Sequence, residues 1–151
     1  MSIQRKDLFL VAVQFLLFTL YLWNPLEITI YQGNYLNAIA LVFVIIGVII
    51  MLLAVYTLRK SISPFPSPRK NAVLIQSGIF KFIRHPIYTS ILLTTLGWAF
   101  YSNSLFRIFI FASLMILFEI KSNFEESLLI KRFTTYTHYK KITGKYLPKI
   151  N

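Results

Sequence analysis

The stretch Leu36–Leu58, LNAIALVFVIIGVIIMLLAVYTL, contains no charged residue. At roughly 23 residues it is long enough, as a helix, to cross a bilayer with some tilt. The composition of the whole chain points the same way. Of 151 residues, 56 % are hydrophobic, 17 % aromatic and only 14 % charged. Soluble domains carry about 45–50 % apolar residues. The length suits one domain, 1–151. There is no cysteine, which excludes disulfides, a thiolate nucleophile and a Cys-based metal site.

Three further apolar runs flank this core. Leu8–Trp23, LFLVAVQFLLFTLYLW, is uncharged and stops at Asn24-Pro25, a helix-ending pair. A basic start and an apolar run also fit a signal peptide, but no small-x-small cleavage site follows Trp23. A third run covers 86–101 and a fourth 105–120, with Ser102-Asn103-Ser104 as a tight turn between them. These two are expected to form an antiparallel hairpin, both short for a span of about 20 residues. The expectation is an all-α integral membrane protein with about four transmembrane helices and a C-terminal amphipathic helix.

The net charge of +11 raises nucleic acid as a partner. Its distribution argues for membrane orientation instead. With an even number of spans both termini share a side, and nearly every Lys and Arg falls there; only Arg107 lies near the other end. Cytoplasmic loops carry this excess, so both termini and the 59–85 segment are expected to be cytoplasmic, in contact with anionic lipid heads. A multi-pass protein, in a prokaryotic inner membrane, is the expected localisation, with no nucleic-acid partner.

The 59–85 strap begins RKSISPFPSPRKNAVLIQSG, with Pro64, Pro66 and Pro68 blocking helix and sheet alike. It turns apolar again from Ala72 to Ile75, as a segment lying on the protein or at the interface would. After the fourth run, Phe124, Leu128, Leu129, Phe133 and Tyr136 recur at helical spacing. That predicts an amphipathic helix over about 121–143, closed by Gly144. Snorkelling explains its lysines, but not its acids. The chain has five acids in all, and Glu119, Glu125 and Glu126 cluster here. Acids gain nothing against an anionic leaflet, so a specific cation is their expected partner.

Arg84-His85-Pro86-x-Tyr88 stands at the mouth of the third run. Pro86 suits the first helical turn, and His85 then falls at the N-cap, where a helix favours an anion or polar ligand. Membrane anchoring by Arg84 and an aromatic belt at Tyr88 is the plain alternative. Lys121 and Glu125 are four apart, on one helix face. They form either a simple ion pair or a divided site, with Lys121 receiving a substrate anion and Glu125 a cationic ligand. Glu125 and Glu126 point about 100° apart, so one is expected to bind a ligand and the other to make a structural contact. His138 is read as a surface residue. No phosphate-binding glycine loop, metal-ligand set or Ser/His/Asp arrangement is present.

Taken together, Ser77-Gly78, RHPIY (Arg84–Tyr88), LGWA (Leu96–Ala99), Glu125-Glu126 and the tail residues Phe133, Tyr136, Tyr139 and Pro148 resemble a known pattern. It is that of the membrane-embedded isoprenylcysteine carboxyl methyltransferases and the related phospholipid N-methyltransferases. The likeness covers about half the chain and implies methyl transfer from S-adenosylmethionine at the cytoplasmic face. It implies a cofactor site of Ala72, Val73, Leu74, Ile75, Phe80, His85, Pro86, Ile87, Tyr88, Glu125 and Glu126, with Lys121 and Arg84 as candidate catalytic residues and no metal. Lys121 stands where the family has an arginine that contacts substrate. Lysine keeps the charge but loses bidentate carboxylate recognition, so the acceptor is expected to be lipid-like or prenylated without being fixed further. Ser90 replaces a common glycine.

Two other readings remain at this level. Sterol reductases carry a similar His-Pro-x-Tyr element and bind NADPH, but continue with Gly-Glu where this chain has Thr89-Ser90. A non-catalytic assembly or lipid-binding protein would need none of these side chains for function.

Overall fold

The computed structural model describes residues 5–26, 28–29, 36–58 and 73–149. They are all-helical, with no strand among them. The helices are α1 (Arg5–Trp23), α2 (Asn37–Leu58), α3 (Pro86–Tyr101), α4 (Leu105–Arg132) and α5 (Tyr136–Ile142), with a single 3₁₀ turn at Gly78–Lys81. Of these, α1 and α2 are long and apolar enough to cross a membrane. The other two expected crossings differ from them. α3 has 16 residues, about 24 Å at 1.5 Å per residue, and α4 carries charge along its second half.

The described part of α1 opens at Arg5, three residues ahead of the apolar run, with Asp7 in that turn. Two boundaries depart from the sequence-based expectation. The expected helix over 121–143 is not a separate element. α4 runs unbroken for 28 residues through Ile120 and Lys121, because no Gly or Pro interrupts it. It stops at Phe133, whose backbone is extended, after the basic pair Lys131 and Arg132 in its last turn. α5 then forms a short second piece ending at Ile142, where Gly144 was expected to close it. Residues 59–72 of the strap, Ala72 included, lie outside the described residues.

The α3–α4 hairpin forms as expected. Asn103 takes a positive φ of 51°, which asparagine tolerates, and the Ser104 side chain caps α4 by accepting from the Arg107 backbone N–H. α1 packs on α4 through a stripe spaced three and four apart, Leu10, Val13, Leu17 and Tyr21 against Ile110, Leu114, Leu117 and Phe118. The far end is fastened by the Tyr21 hydroxyl donating to the Thr95 carbonyl (2.6 Å) and Ser104 donating to Asn24 (2.7 Å).

α2 joins the other side of α3 by a different device. Its buried residues are Ala40, Gly47 and Ala54, seven apart on one face. A Cβ on Gly47 would stand 2.4 Å from Thr94 Oγ1, and one on Gly97 2.6 Å from the Ala40 carbonyl. Small residues let these backbones approach, as helix pairs in lipid do. The rest of α2 presents Ile39, Val42, Ile46, Ile49 and Leu53 outward.

Candidate functional site

The start of α3 and the middle of α4 meet at the end of the molecule opposite the hairpin turn. Pro86 occupies the first turn of α3 and His85 is its N-cap, as expected, but the imidazole makes no capping bond. It turns instead to α4. His85 Nε2 lies 3.2 Å from Glu126 Oε1, and Nδ1 lies 3.8 Å from Glu125 Oε2. One ring thus touches both neighbouring acids.

The two glutamates are treated differently by their surroundings. Glu126 is 2 % exposed and its carboxylate is fully engaged. Arg84 Nε donates to it at 2.8 Å, Lys140 Nζ at 2.7 Å, and His85 completes the set. Glu125 has a side chain 29 % exposed, accepts from the Tyr88 hydroxyl at 3.1 Å, and keeps an open edge. Both acids lie beyond the apolar stretch that ends at Ile120. Burial works against the Glu126 charge, but hydrogen bonds from His85, Lys140 and Arg84 outweigh it and hold the carboxyl well below the usual carboxylate range. Burial pushes the Glu125 carboxyl up, opposed by His85, the Tyr88 hydroxyl and Lys121. Adjacent acids with shifts of opposite sign are the arrangement in which one carboxylate stays a fixed anion and the other remains responsive.

Tyr88 is locked between rings. It stacks on His85 (centroids 5.4 Å apart, planes 3° apart) and on Phe118 (4.7 Å, 5°). Lys121 Nζ sits 5.7 Å from the Tyr88 centroid and donates to Gln14 Oε1 from α1. Lys121 is only 1 % exposed, so its ammonium lies inside the helix cluster and not on an open face.

The chain's last described segment clasps the site from outside. The Arg84 backbone N–H donates to the Gly144 carbonyl (2.9 Å), His85 N–H to the Lys145 carbonyl (3.1 Å), and Gly144 N–H to Phe82 (3.3 Å). The Arg84 guanidinium donates to the Lys140 and Thr143 carbonyls as well as to Glu126. Tyr146 hydrogen-bonds Ser122 at 2.8 Å, and its carbonyl accepts from Thr89 at 2.8 Å. Gly144 fits because a Cβ there would stand 1.7 Å from the Leu147 carbonyl oxygen. Tyr139 donates to the Phe80 carbonyl at 2.5 Å, which ties α5 to the 3₁₀ turn.

The sequence-derived site residues therefore separate into groups. Arg84, His85, Pro86, Tyr88, Glu125, Glu126 and Lys121 come together around the α3 start. Phe80 is buried nearby under Tyr139, and Ile87 is half-buried on the first turn of α3. Leu74 and Ile75 are half-buried, while Val73 is exposed. His138 is exposed, as expected. Sequence reasoning missed Asp7 and Gln14 on α1, Lys140, and the Thr143–Tyr146 clasp. Gln14 left one signal, as the lone amide in the apolar run of α1. Asp7 looked like a flanking charge, yet it is 0 % exposed.

Among the described residues no group of three or more His, Cys, Asp or Glu is placed to hold a metal. No curated protein matches the sequence. The family model for phospholipid methyltransferase matches residues 35–136, from the start of α2 to the start of α5, and so contains the α3 mouth and both glutamates. A match over more than half of the chain, on an all-helical fold with two membrane-length apolar helices, makes this chain a member of the phospholipid methyltransferase family.

Proposed function

We propose that this chain transfers a methyl group from S-adenosylmethionine to a lipid-like acceptor at the cytoplasmic face of a membrane that α1 to α4 cross together. Family membership supports the reaction class. The observation that carries the site is the unequal pair: Glu126 consumed by Arg84, His85 and Lys140, and Glu125 left with an open edge beside Tyr88 and His85.

The residues present fit this cofactor. Glu125 is a half-buried carboxylate whose hydroxyl partner leaves acceptor capacity for an ammonium or ribose hydroxyls. His85 and Tyr88, stacked and held, present fixed polar edges. Leu74, Ile75 and Ile87 are half-buried apolar neighbours in sequence of the same mouth. Bound there, the cofactor supplies an electrophilic methyl group on a sulfonium, which an acceptor lone pair takes to leave a neutral thioether. The protein's own task is to orient the partners and keep water away. Glu126 and Arg84 hold His85 in place; Tyr88 holds Glu125. Lys121 supplies positive charge on the acceptor side, where low polarity lengthens its reach. An acceptor of this class enters sideways from the bilayer.

The charge pattern supports the orientation. Arg84, Lys140, Lys145 and the α4 terminal pair lie at the site end, and Arg107 near the turn end, where exposed Trp23, Trp98 and Tyr101 suit an interfacial aromatic belt.

Calorimetry of the purified chain in detergent with S-adenosylhomocysteine, together with the Glu125→Ala variant, tests the reading. Binding is expected for the wild type and a loss of about tenfold or more for Glu125→Ala. Saturating cofactor that leaves the melting temperature unmoved overturns it, because a ligand bound only by the folded state must stabilise it. NADPH binding in its place restores the reductase reading.

A further inference from the structure

α1 lies outside the 35–136 family match, yet it delivers two polar side chains to the site. Asp7 and Gln14 are seven residues apart and share the stripe of α1 that faces α4, in line with Leu10, Leu17 and Tyr21. On α4 the matching stripe is Ile110, Leu114, Leu117 and Lys121. Since Tyr21 meets Arg107, the antiparallel pairing brings Asp7 and Gln14 to Lys121. Asp7 and Lys121 are 0 % and 1 % exposed. Lys121 donates to Gln14, feels the Asp7 and Glu125 carboxylates, and stands over the Tyr88 ring.

Stability does not require this arrangement. An apolar pair at these positions would continue the packing of Leu10 and Leu117, and replacing buried ions by apolar residues of similar volume is often neutral or stabilising. Ionisable groups buried where two apolar helices meet, at the end of their apolar runs, are costly to keep and mark candidate functional positions. Contacts run without a break from α1 to the site through Gln14: Gln14 to Lys121, Lys121 to Tyr88, Tyr88 to Glu125 and His85. The buried Asp7 lies two turns away on the same face, and its charge acts on Lys121.

We infer that α1 is part of the acceptor side of the site, and that Asp7 is a positioning residue which, with Gln14, holds the Lys121 ammonium against Tyr88 for an acceptor bearing negative charge. This rests on the methyl-transfer reading above and adds to it a helix that the family match does not include. The groups facing Lys121 are Asp7 and Gln14 from α1, Tyr88 from α3, and Glu125 from its own helix.

The test uses the full chain in detergent, radiolabelled S-adenosylmethionine, and a total lipid extract of the expression host as the acceptor probe. Asp7→Asn is expected to raise the extract concentration giving half-maximal rate about tenfold or more, while the Kd for S-adenosylhomocysteine stays within about twofold. Asp7→Glu is expected to recover part of the loss. The double variant Asp7→Leu/Lys121→Met is expected to keep the wild-type melting temperature yet fail to transfer, which separates function from folding. Wild-type half-saturation in Asp7→Asn, or a loss confined to cofactor affinity, overturns the role of α1. A double variant that unfolds overturns the claim that stability does not need the pair. No incorporation by the wild type overturns the methyl-transfer reading itself, a result distinct from any difference among variants.

Discussion

At Glu125 and Glu126, one residue along the helix changes what a carboxylate is for. Glu126 has a depressed folded pKa, so its share of stability is complete above the ordinary glutamate value of about 4.3 and is lost as pH falls below it. Thermal unfolding in detergent is therefore expected to show a loss on acidification that Glu126→Gln abolishes. Glu125 has a raised folded pKa, so protonating it relieves a burial penalty and stabilises the fold slightly, while weakening any bound cation. Cofactor affinity is expected to fall on acidification at a pH above that at which the fold weakens, and titrating both on one sample separates them. Arg84→Ala removes a guanidinium shared by Glu126 and two carbonyls, and is expected to cost about 3 kcal/mol in chemical denaturation. The sequence made these residues legible because their types are rare in an apolar chain: five acids, two histidines, and a proline placed to start a helix. It pointed to Glu125 as the ligand-binding one, but spacing gave no physical reason for the difference, which is made by Lys140 and Arg84 approaching Glu126 from other elements.

Elements are held together here by two unlike joints. α2 meets α3 backbone to backbone at Gly47 and Gly97, and α1 meets α4 by interlocking side chains. Gly97→Val places a branched side chain where a single Cβ already comes within 2.6 Å of the Ala40 carbonyl. It is expected to part α2 from α3 at a cost of about 2–4 kcal/mol, read as an earlier unfolding midpoint. Gly144→Ala is expected to loosen the clasp, seen as faster amide exchange at Arg84 and His85 with the helices still folded. The hairpin turn and the α3 start were readable because their signals, Ser-Asn-Ser and His-Pro, are local. The break at Phe133 was not, since the apolar spacing continues through it to Tyr136, and an uninterrupted α4 hid behind the charge that begins at Glu119. The reach of Lys121 to Gln14 spans 107 residues of sequence, and no local pattern encodes it.

For the whole molecule the testable quantity is sidedness. The natural chain has no cysteine, so single cysteines can be introduced without background. With four crossings, Lys149→Cys in intact cells is expected to resist a membrane-impermeant maleimide, whereas Ser102→Cys is expected to react; the reverse pattern, or labelling of both, refutes the orientation. The clasp of residues 143–146 on 82–85 carries a further consequence, one of timing. Arg84 and its partner carbonyl on Thr143 lie 59 residues apart, which at about 5–20 residues per second is roughly 3–12 s of synthesis. α3 and α4 are themselves made within that interval, so all four long helices exist before Lys140 and the 143–146 cover that His85 and Glu126 wait for. On the proposed reading, the helices are complete before the site is, and a chain truncated after Arg132 is expected to keep its apolar helices while lacking the Lys140 and Thr143–Tyr146 contacts to Arg84, His85 and Glu126.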